Sequence, residues 1–515
     1  MQTLATRLTS AAILGATFLP GSAFADLSTS DVWQHFQQSS TIIGGTLSAE
    51  TSERGDGLAL QDVTFDLTLP FDVGSVRMDL GAFDLIDLGD GRVELVMPES
   101  SVYSLTYTDS DGESFDGNMT MTQQGLSNIL SGTPEEITFD QKADRLDFDF
   151  DVDGLPEEIQ SIAMNGSLIA FEGQSVTTKA DMVSTNVTYS FDEQSMTMTQ
   201  VMSFEGDEPM TVEGVTKTGR AEGDMQIVTP SAGVDLANLA KALRDGLAIA
   251  GTNRIASYSS DQVTSQGETV MMSQSSSAKN YDTTMKIDAT GVTIGGPAED
   301  LQIQMEMPMM PGLPLGGKIA SVSGTMQAPL LMDDSFGPAA MRFELNGLEL
   351  DEMVWAMGDP EGVLPRDPIH LTVDLNGTLK HNIEWLDFAN VEASLEALGE
   401  ILPVEPGSAT LNALRLSAVG AEITGEGAFT FDSSDLETFG GVPRPEGKLT
   451  LRAKGLTALS QKLEQLGIPA EQIAGSMMML QMFTAEDAEN GDDARVTEVV
   501  VNPDGSVFAN GMQLQ

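Results

Sequence analysis

The sequence predicts a mainly β protein of the α+β type, with long, twisted antiparallel sheets, a few short clipping helices and two halves. Three observations predict this fold. Apolar and polar residues alternate with period two over many stretches, as expected for strands with one buried and one solvated face. Asn-Gly and Asp-Gly dipeptides separate these stretches and suit hairpin turns. Helical periodicity is confined to a few short segments.

The alternating stretches are the predicted strands. In the segment 146–152, Phe148 and Phe150 fall on one face, while Asp147, Asp149 and Asp151 fall on the other. Comparable alternation predicts strands at 63–69, 146–152, 371–375 and 449–453.

The turn dipeptides are predicted to reverse the chain between strands, because Gly, Asn and Asp tolerate the positive φ angles of two-residue hairpins. They are Asp56-Gly57, Asp90-Gly91, Asp111-Gly112, Asn165-Gly166, Asn346-Gly347, Asn376-Gly377 and Asp504-Gly505.

Short amphipathic helices are predicted at 234–247, 388–398, 456–466 and 470–483. Each has an apolar stripe at helical spacing, which suits packing against a sheet face.

The first 25 residues have the pattern of a secretory signal peptide. Arg7 supplies the positive charge, residues 11–19 form a short apolar run, and Ala23-Phe24-Ala25 is a small-x-small cleavage motif. We therefore expect cleavage after Ala25 and a periplasmic mature protein. No later apolar stretch approaches the length of a transmembrane helix.

A composition break suggests where the two halves meet. The segment 305–317 contains three prolines and three glycines, which disfavour a central strand. The sequence therefore predicts an N-terminal β-rich half at 26–304, a linker at 305–317, and a C-terminal half with short helices at 318–515.

The net charge argues against some classes of partner, and the lack of cysteine excludes some kinds of site. The chain of 515 residues carries 78 Asp and Glu against 25 Lys and Arg, a net charge of −53. Such a surface repels nucleic acid and anionic membrane headgroups. Cysteine is absent, which removes disulfides, thiolate nucleophiles and cysteine metal sites.

No catalytic, cofactor-binding or metal-ligating residue is predicted, and no cofactor. Residues 149–154 match the start of an EF-hand loop, but Gln160 occupies the position that needs a bidentate Glu. An alternating strand explains the segment better. A looser calcium site among Asp109, Asp111, Glu113 and Asp116 stays open as an alternative. The three histidines, His35, His370 and His381, have no metal-site spacing and are expected at the surface or rim, with an arrangement of His370 and His381 facing each other across a hairpin as the alternative.

Methionine is the unusual residue, with 29 in the chain. Met305, Met307, Met309 and Met310 cluster in the predicted linker, and 477–479 lies in the last predicted helix. Gap-filling in a core that is short of aromatic residues is the ordinary explanation of these clusters. Because Met adapts to irregular apolar partners, a trough for an acyl chain or an apolar segment of another protein is the alternative.

Several segments resemble an uncharacterised family of alphaproteobacterial envelope proteins, catalogued as domain of unknown function 2125. The resemblance implies an envelope location and a β-rich fold. The family has no established activity, so the resemblance assigns no functional residue. The segments are 27–33, 414–420, 425–431, 447–456 and 499–511.

Three functions fit these observations. The first is a non-enzymatic periplasmic protein that binds a lipid or another apolar ligand in a sheet-lined groove. The second is a structural or assembly protein of the cell envelope, which contacts envelope proteins through strand edges. The third is a carboxylate-based hydrolase, which requires two acids in a concave pocket.

Overall fold

The computed structural model describes residues 27–71, 73–153, 159–204, 208–308, 315–399, 401–488, 490–491 and 493–514. The predicted signal peptide, 1–25, lies outside these residues. Strands account for 64% of the chain and helices for 13%, and the described strand pairs are antiparallel, so the mainly β prediction is confirmed.

The chain divides into two compact units, Met1–Ala256 and Ser257–Gln515. The sequence places the division at 305–317 instead. Residues 305–306 and 315–317 of that segment belong to two paired strands, with Met305 opposite Leu315, and 309–314 lies outside the described residues. A Pro- and Gly-rich segment connects strands of a hairpin as readily as it connects domains, which is why its composition does not locate the division.

Unit 1 contains thirteen described strands and the start of a fourteenth, which continues past Ala256. The strands are β1 (Gly45–Arg54), β2 (Gly57–Leu69), β3 (Gly74–Asp87), β4 (Arg92–Val96), β5 (Ser100–Asp109), β6 (Ser114–Gln124), β7 (Ser127–Thr133), β8 (Glu136–Asp153), β9 (Ile159–Lys179), β10 (Met182–Phe191), β11 (Glu193–Met202), β12 (Met210–Thr218), β13 (Ala221–Pro230) and β14 (Ala248–Gln266). Its helices are α1 (Thr29–Ile42) and α2 (Leu239–Arg244).

The sheet of unit 1 branches at its two longest strands. One half of β8 pairs with β7 and the other half with β6, while β9 pairs with β11 and then with β10. Between β8 and β9 the register continues from Ala143 opposite Phe171 to Arg145 opposite Ile169. Ala170, at this junction, has a φ of 53°. A positive φ at a non-glycine residue marks a local departure from the extended backbone, and here it coincides with the branch point.

Helix α1 supplies the main hydrophobic core of unit 1. Ser28 caps it, accepting a hydrogen bond from the Asp31 amide while the Asp31 side chain accepts one from the Ser28 amide. The apolar face of α1 packs against β1, β2 and β3. The fully or nearly fully buried cluster is Leu27, Val32, Trp33, Phe36, Leu47, Leu60, Val63, Leu85, Val93, Leu130, Ile137 and Phe139.

Unit 2 is a meander in which each long strand pairs with the next along the chain. After the end of β14, the strands are β15 (Thr269–Asp288), β16 (Gly291–Glu306), β17 (Leu315–Ala328), β18 (Gly337–Leu350), β19 (Ile369–His381), β20 (Val404–Ala418), β21 (Ala421–Asp432), β22 (Arg444–Lys454), β23 (Ala485–Glu486), β24 (Arg495–Val501), β25 (Val507–Ala509) and β26 (Met512–Gln513). Its helices are α3 (Glu352–Gly358), α4 (Val391–Leu398), α5 (Leu456–Gln465) and α6 (Ala470–Phe483).

The predicted elements meet different outcomes. All four predicted strands lie inside observed strands, and 470–483 coincides with α6. The other predicted helices are shorter than expected, and the sequence prediction omitted α1 and α3.

Three of the predicted turns are wrong. Asn165-Gly166, Asn346-Gly347 and Asn376-Gly377 lie within β9, β18 and β19 respectively. At Gly377 a Cβ atom would lie 2.0 Å from the Ser408 carbonyl oxygen, so glycine permits close approach of the neighbouring strand there. The other four predicted dipeptides lie at connections between strands.

Candidate apolar binding face

One row of apolar side chains runs across the strands of unit 2. Because opposite residues in an antiparallel pair point to the same face, the register assigns these side chains to one side of the sheet. We call this row the first rung. It consists of Met285, Ile294, Met326, Met341, Leu375, Leu411, Gly427, Leu449, Val499 and Ala509.

Two further rows lie on the same side, each displaced by two residues along every strand except β20, where the first displacement is three residues. The second rung is Gly296, Gly324, Phe343, Val373, Leu414, Gly425, Leu451 and Thr497. The third rung is Ala298, Val322, Leu345, Leu371, Leu416, Ile423, Ala453 and Arg495. Together we call these three rungs the apolar face.

A bulge in β20 preserves this arrangement. In β20, Leu411 pairs with Gly427 and Leu414 with Gly425, so one strand uses three residue steps where the other uses two. The extra residue keeps Leu411 and Leu414 on the same side of the sheet. Gly425 then lies beneath its neighbours, since a Cβ atom there would be 2.7 Å from the Leu451 side chain.

The side chains on the opposite side of the same strands are polar, and those of opposite charge form ion pairs. Arg342 contacts Glu344 at 2.6 Å and Asp374 at 3.0 Å. Arg452 contacts Glu426 at 3.2 Å. These side chains alternate with the apolar rungs along the same strands, so the sheet of unit 2 has one ionic face and one apolar face.

The apolar face is open to solvent at the β15–β18 end. Met285, Ile294, Met326 and Met341 are 36%, 43%, 49% and 44% exposed, although they are consecutive cross-strand neighbours. The larger apolar side chains of the later strands are half-buried, apart from Leu416, which is 37% exposed. The fully buried hydrophobic residues among the described part of unit 2 are only Ala298, Ile383, Ala494, Val501 and Ala509.

The helices of unit 2 do not make a conventional core. Within the described residues, α3, α4, α5 and α6 contribute no buried side chain. At about 4.8 Å per strand, the eight strand spacings from Met285 to Val499 extend for about 38 Å. The exposed part, from Met285 to Met341, spans three of these spacings, about 14 Å, and exposed apolar patches are typical of sites that contact a ligand or a partner.

None of the described methionines of the predicted clusters belongs to the three rungs. Met305 lies in β16 opposite Leu315, whereas Met309 and Met310 lie outside the described residues. In α6, Met478 and Met479 are 67% and 62% exposed.

Met285, Met326 and Met341 were not predicted as part of a binding surface, because they are far apart in sequence and meet only through strand register. The available signal was the period-two alternation in each of their three segments.

Unit 1 carries a second apolar stripe on the branch formed by β6, β8, β9 and β11. Phe150 lies opposite Met119 on one side and Met164 on the other, and Met164 lies opposite Met198. These side chains are half-buried. The predicted separation of Phe148 and Phe150 from the neighbouring Asp side chains agrees with this register.

A polar depression of about 520 Å³ lies over strands β8, β9, β10, β13 and β14 of unit 1. Its wall includes the Lys142–Glu172 ion pair, 2.7 Å long, and the hydrogen bond from Lys142 holds the pKa of the Glu172 carboxyl below its usual range. Arg254 lies 3.7 Å from Glu222 on the same rim. Two acids of this depression, Glu172 and Glu222, are therefore paired with cations, and the lowered pKa of Glu172 is the opposite of what a general acid requires.

The three histidines do not converge. His370 and His381 lie at opposite ends of the single strand β19, so the expectation that they face each other across a hairpin is wrong. His381 accepts a hydrogen bond from the Trp385 indole at 2.9 Å. The surface position expected for His35 is wrong, because its side chain is fully buried in α1, where neither ring nitrogen has a hydrogen-bond partner among the described residues. Burial, assisted by the charge of Lys179, lowers the His35 pKa to about 3.

The acidic motifs have structural roles in the described residues. Asp149 and Asp151 lie in β8 opposite Thr120 and Asn118, so this part of the EF-hand-like sequence is strand. The Asp109 carboxylate accepts hydrogen bonds from the amides of Asp111 and Glu113 and stabilises the β5–β6 turn. The described chain contains no group of three or more metal-ligating side chains.

The fold and this surface define a mainly β protein with an apolar sheet face open to solvent. Comparison with protein-family models, curated proteins and solved structures finds no match to the chain. None of the helices described in the chain combines the apolar character and the length that crossing a bilayer requires.

Proposed function

We propose that this chain is an exported, periplasmic, non-enzymatic protein that binds a lipid or another amphipathic apolar ligand on the apolar face of unit 2. The observation that carries the proposal is the run of exposed neighbours Met285, Ile294, Met326 and Met341. A sheet that used this side as its core would bury these residues.

Covering the exposed apolar side chains with a ligand is more favourable in free energy than leaving them in contact with water. Burial of apolar surface contributes roughly 25 cal/mol per Å², so covering one exposed methionine and its share of ligand surface is worth about 1 kcal/mol or more. Methionine side chains also adapt to acyl chains of irregular conformation. Covering several adjacent residues therefore contributes several kcal/mol of favourable free energy, which offsets part of the cost of association.

The predicted signal peptide supports an envelope location for this binding. The engaged carboxylates of the polar depression support the non-enzymatic reading, since Glu172 and Glu222 both contact cations.

The proposal is tested with the mature protein purified from a bacterial periplasm. Native mass spectrometry and organic extraction should reveal a co-purified lipid at a defined stoichiometry. After delipidation, binding of the neutral fluorescent probe N-phenyl-1-naphthylamine should be saturable and should be displaced by 1-palmitoylglycerol.

A matched pair of variants locates the site. Met326→Asp places a charge on the apolar face, and we expect it to weaken probe binding at least tenfold. Gln327→Asp adds the same charge at the next residue, which faces the polar side, and should leave binding within twofold of the unsubstituted protein. Equal binding by both variants would assign the probe to another surface and refute the proposal.

A further inference from the structure

The apolar face contains one ionisable side chain among the residues of its three rungs, Arg495. It occupies the third rung on β24, opposite Ala453, with Thr497 beside it in the second rung. A guanidinium at this position is unusual, because every other member of the third rung is an aliphatic residue.

The Arg495 side chain is only 21% exposed, yet its charge is weakly paired. Its Nε donates to the Thr484 hydroxyl at 2.9 Å and its Nη2 to the Thr484 carbonyl at 3.2 Å. The closest carboxylate oxygen in an ion pair belongs to Glu486, at 3.8 Å, and that side chain is 86% exposed. A guanidinium has five donor hydrogens, so donors remain for a further acceptor.

Other half-buried cations of unit 2 are paired more closely. Lys380, also 21% exposed, contacts Glu405 at 3.1 Å, and Arg444, 17% exposed, contacts Asp432 at 2.6 Å. Burying a cation without close compensation is costly, which leaves Arg495 suited to an anion supplied from outside the protein.

We infer that Arg495 binds the anionic head of an amphipathic ligand, a phosphate or a carboxylate, while the acyl chain lies along the apolar rungs. This inference rests on the proposed function and specifies the ligand. Five strand spacings separate Arg495 from Leu345 along the third rung, a distance of about 24 Å. One leaflet of a bilayer has a hydrocarbon depth of about 15 Å, so a chain anchored at Arg495 covers about three strand spacings of the apolar face, from β24 to β20, and ends short of the exposed β15–β18 end.

The strongly negative chain does not prevent this contact. Charges further away than the Debye length, about 8 Å at physiological ionic strength, are largely screened. At contact distance, a phosphate or carboxylate forms charge-assisted, bidentate hydrogen bonds with a guanidinium, which are the stronger class of hydrogen bond.

The test compares ligands that differ only in the head. Delipidated full-length mature protein is titrated with 1-palmitoylglycerol, with 1-palmitoylglycerol 3-phosphate and with palmitate, through displacement of N-phenyl-1-naphthylamine. We expect the phosphate ligand, the carboxylate ligand or both to bind about tenfold more tightly than the neutral ligand. The tighter of the two identifies the head as phosphate or carboxylate.

Substitutions then assign the preference to Arg495. Arg495→Gln should abolish the preference and leave binding of 1-palmitoylglycerol within twofold, while Arg495→Lys should retain part of it. Arg452→Gln removes the same charge from the polar side of the neighbouring strand, where Arg452 contacts Glu426, and should retain the full preference.

Two results would overturn the inference alone. One is equal affinity of the unsubstituted protein for the neutral and anionic ligands. The other is an equal loss of affinity for all three ligands in Arg495→Gln, which would show that Arg495 acts only by holding the end of α6 through Thr484. Absence of binding by every ligand would instead overturn the proposed function together with this inference.

Discussion

Met326 of β17 and Met341 of β18 are cross-strand neighbours on the apolar face, and each side chain remains almost half exposed. Cross-strand apolar pairs ordinarily stabilise a sheet by excluding water from both side chains. Both side chains of this pair keep much of their surface in contact with solvent. They therefore contribute little to the free energy of folding, and their exposed apolar surface is available to a ligand.

Truncation of the exposed pair should therefore have little effect on stability. We expect Met326→Ala and Met341→Ala each to lower the free energy of unfolding by less than about 1 kcal/mol, because exposed side chains leave no cavity. Leu85→Ala in the core of unit 1, where Leu85 is fully buried, should cost about 2–5 kcal/mol. Urea denaturation of the delipidated protein measures all three values. A cost for Met326→Ala similar to that for Leu85→Ala would show that the apolar face is a folding core.

Substitution of two glycines by alanine should change the stability of the protein in opposite directions. A Cβ atom at Gly377 would meet the Ser408 carbonyl oxygen of β20 at 2.0 Å, so Gly377→Ala should destabilise the protein by about 1–3 kcal/mol. Gly475 lies inside α6 with no heavy atom within 4 Å of its added Cβ, so Gly475→Ala should stabilise the helix by about 0.5–1 kcal/mol. Thermal denaturation gives the sign of each change. A stabilising Gly377→Ala would indicate that β19 and β20 approach less closely.

Elements that depend on a local sequence pattern were predictable, whereas features that depend on tertiary contacts were not. The strands at 146–152 and 371–375 were predictable because alternation is a local property of the chain. Asn376-Gly377 was misread as a turn because the same dipeptide also serves where a neighbouring strand approaches closely. The helix α1 was missed although Ser28 and Asp31 form a capping box at its start.

The apolar face was only partly predictable. Alternation indicates that Met326 and Met341 point to one side of a sheet, but it does not show whether another layer covers that side. Arg495 could not be singled out either, because its place in the third rung depends on strand pairing with β22. Coverage and register are tertiary properties, and no local pattern encodes them.

Acid should destabilise unit 1 through His35. The pKa of this buried imidazole is lowered to about 3, whereas the unfolded chain has a value near 6.5. Between these values the unfolded state binds the additional proton, so the free energy of unfolding falls as pH falls from about 6.5 towards 3. From pH 7 to pH 4 the contribution of His35 is about 3 kcal/mol.

The variant His35→Leu isolates this effect from the many carboxylates of the chain. It removes the titrating group and both unpaired nitrogens, so its stability should decline less between pH 7 and pH 4 than that of the unsubstituted protein. Urea denaturation at the two pH values supplies the comparison. An identical decline in both proteins would show that protonation of His35 is not linked to unfolding.

Export and processing should follow the motif at 23–25. Expressed with its first 25 residues in a Gram-negative host, the protein should be recovered from the periplasm with Asp26 as its first residue. Ala25→Asp should block processing because the cleavage site requires small side chains, whereas Phe24→Ser changes the unconstrained middle position and should be processed normally. Intact mass spectrometry distinguishes the two forms. Retention of residues 1–25 on the unsubstituted protein in the cytoplasm would exclude the predicted signal.

Methionine oxidation should report directly on occupancy of the apolar face. Exposed methionines are converted to sulfoxides by peroxide, and a ligand that covers them slows the reaction. Saturating 1-palmitoylglycerol should reduce oxidation of Met285, Met326 and Met341 several-fold. Met478 and Met479 of α6, which are more exposed and outside the rungs, serve as controls within the same molecule and should be oxidised at a nearly unchanged rate. Peptide mass mapping after a short exposure gives all five rates. Protection of the α6 pair without protection of Met326 would place the ligand on the helix and contradict binding on the sheet.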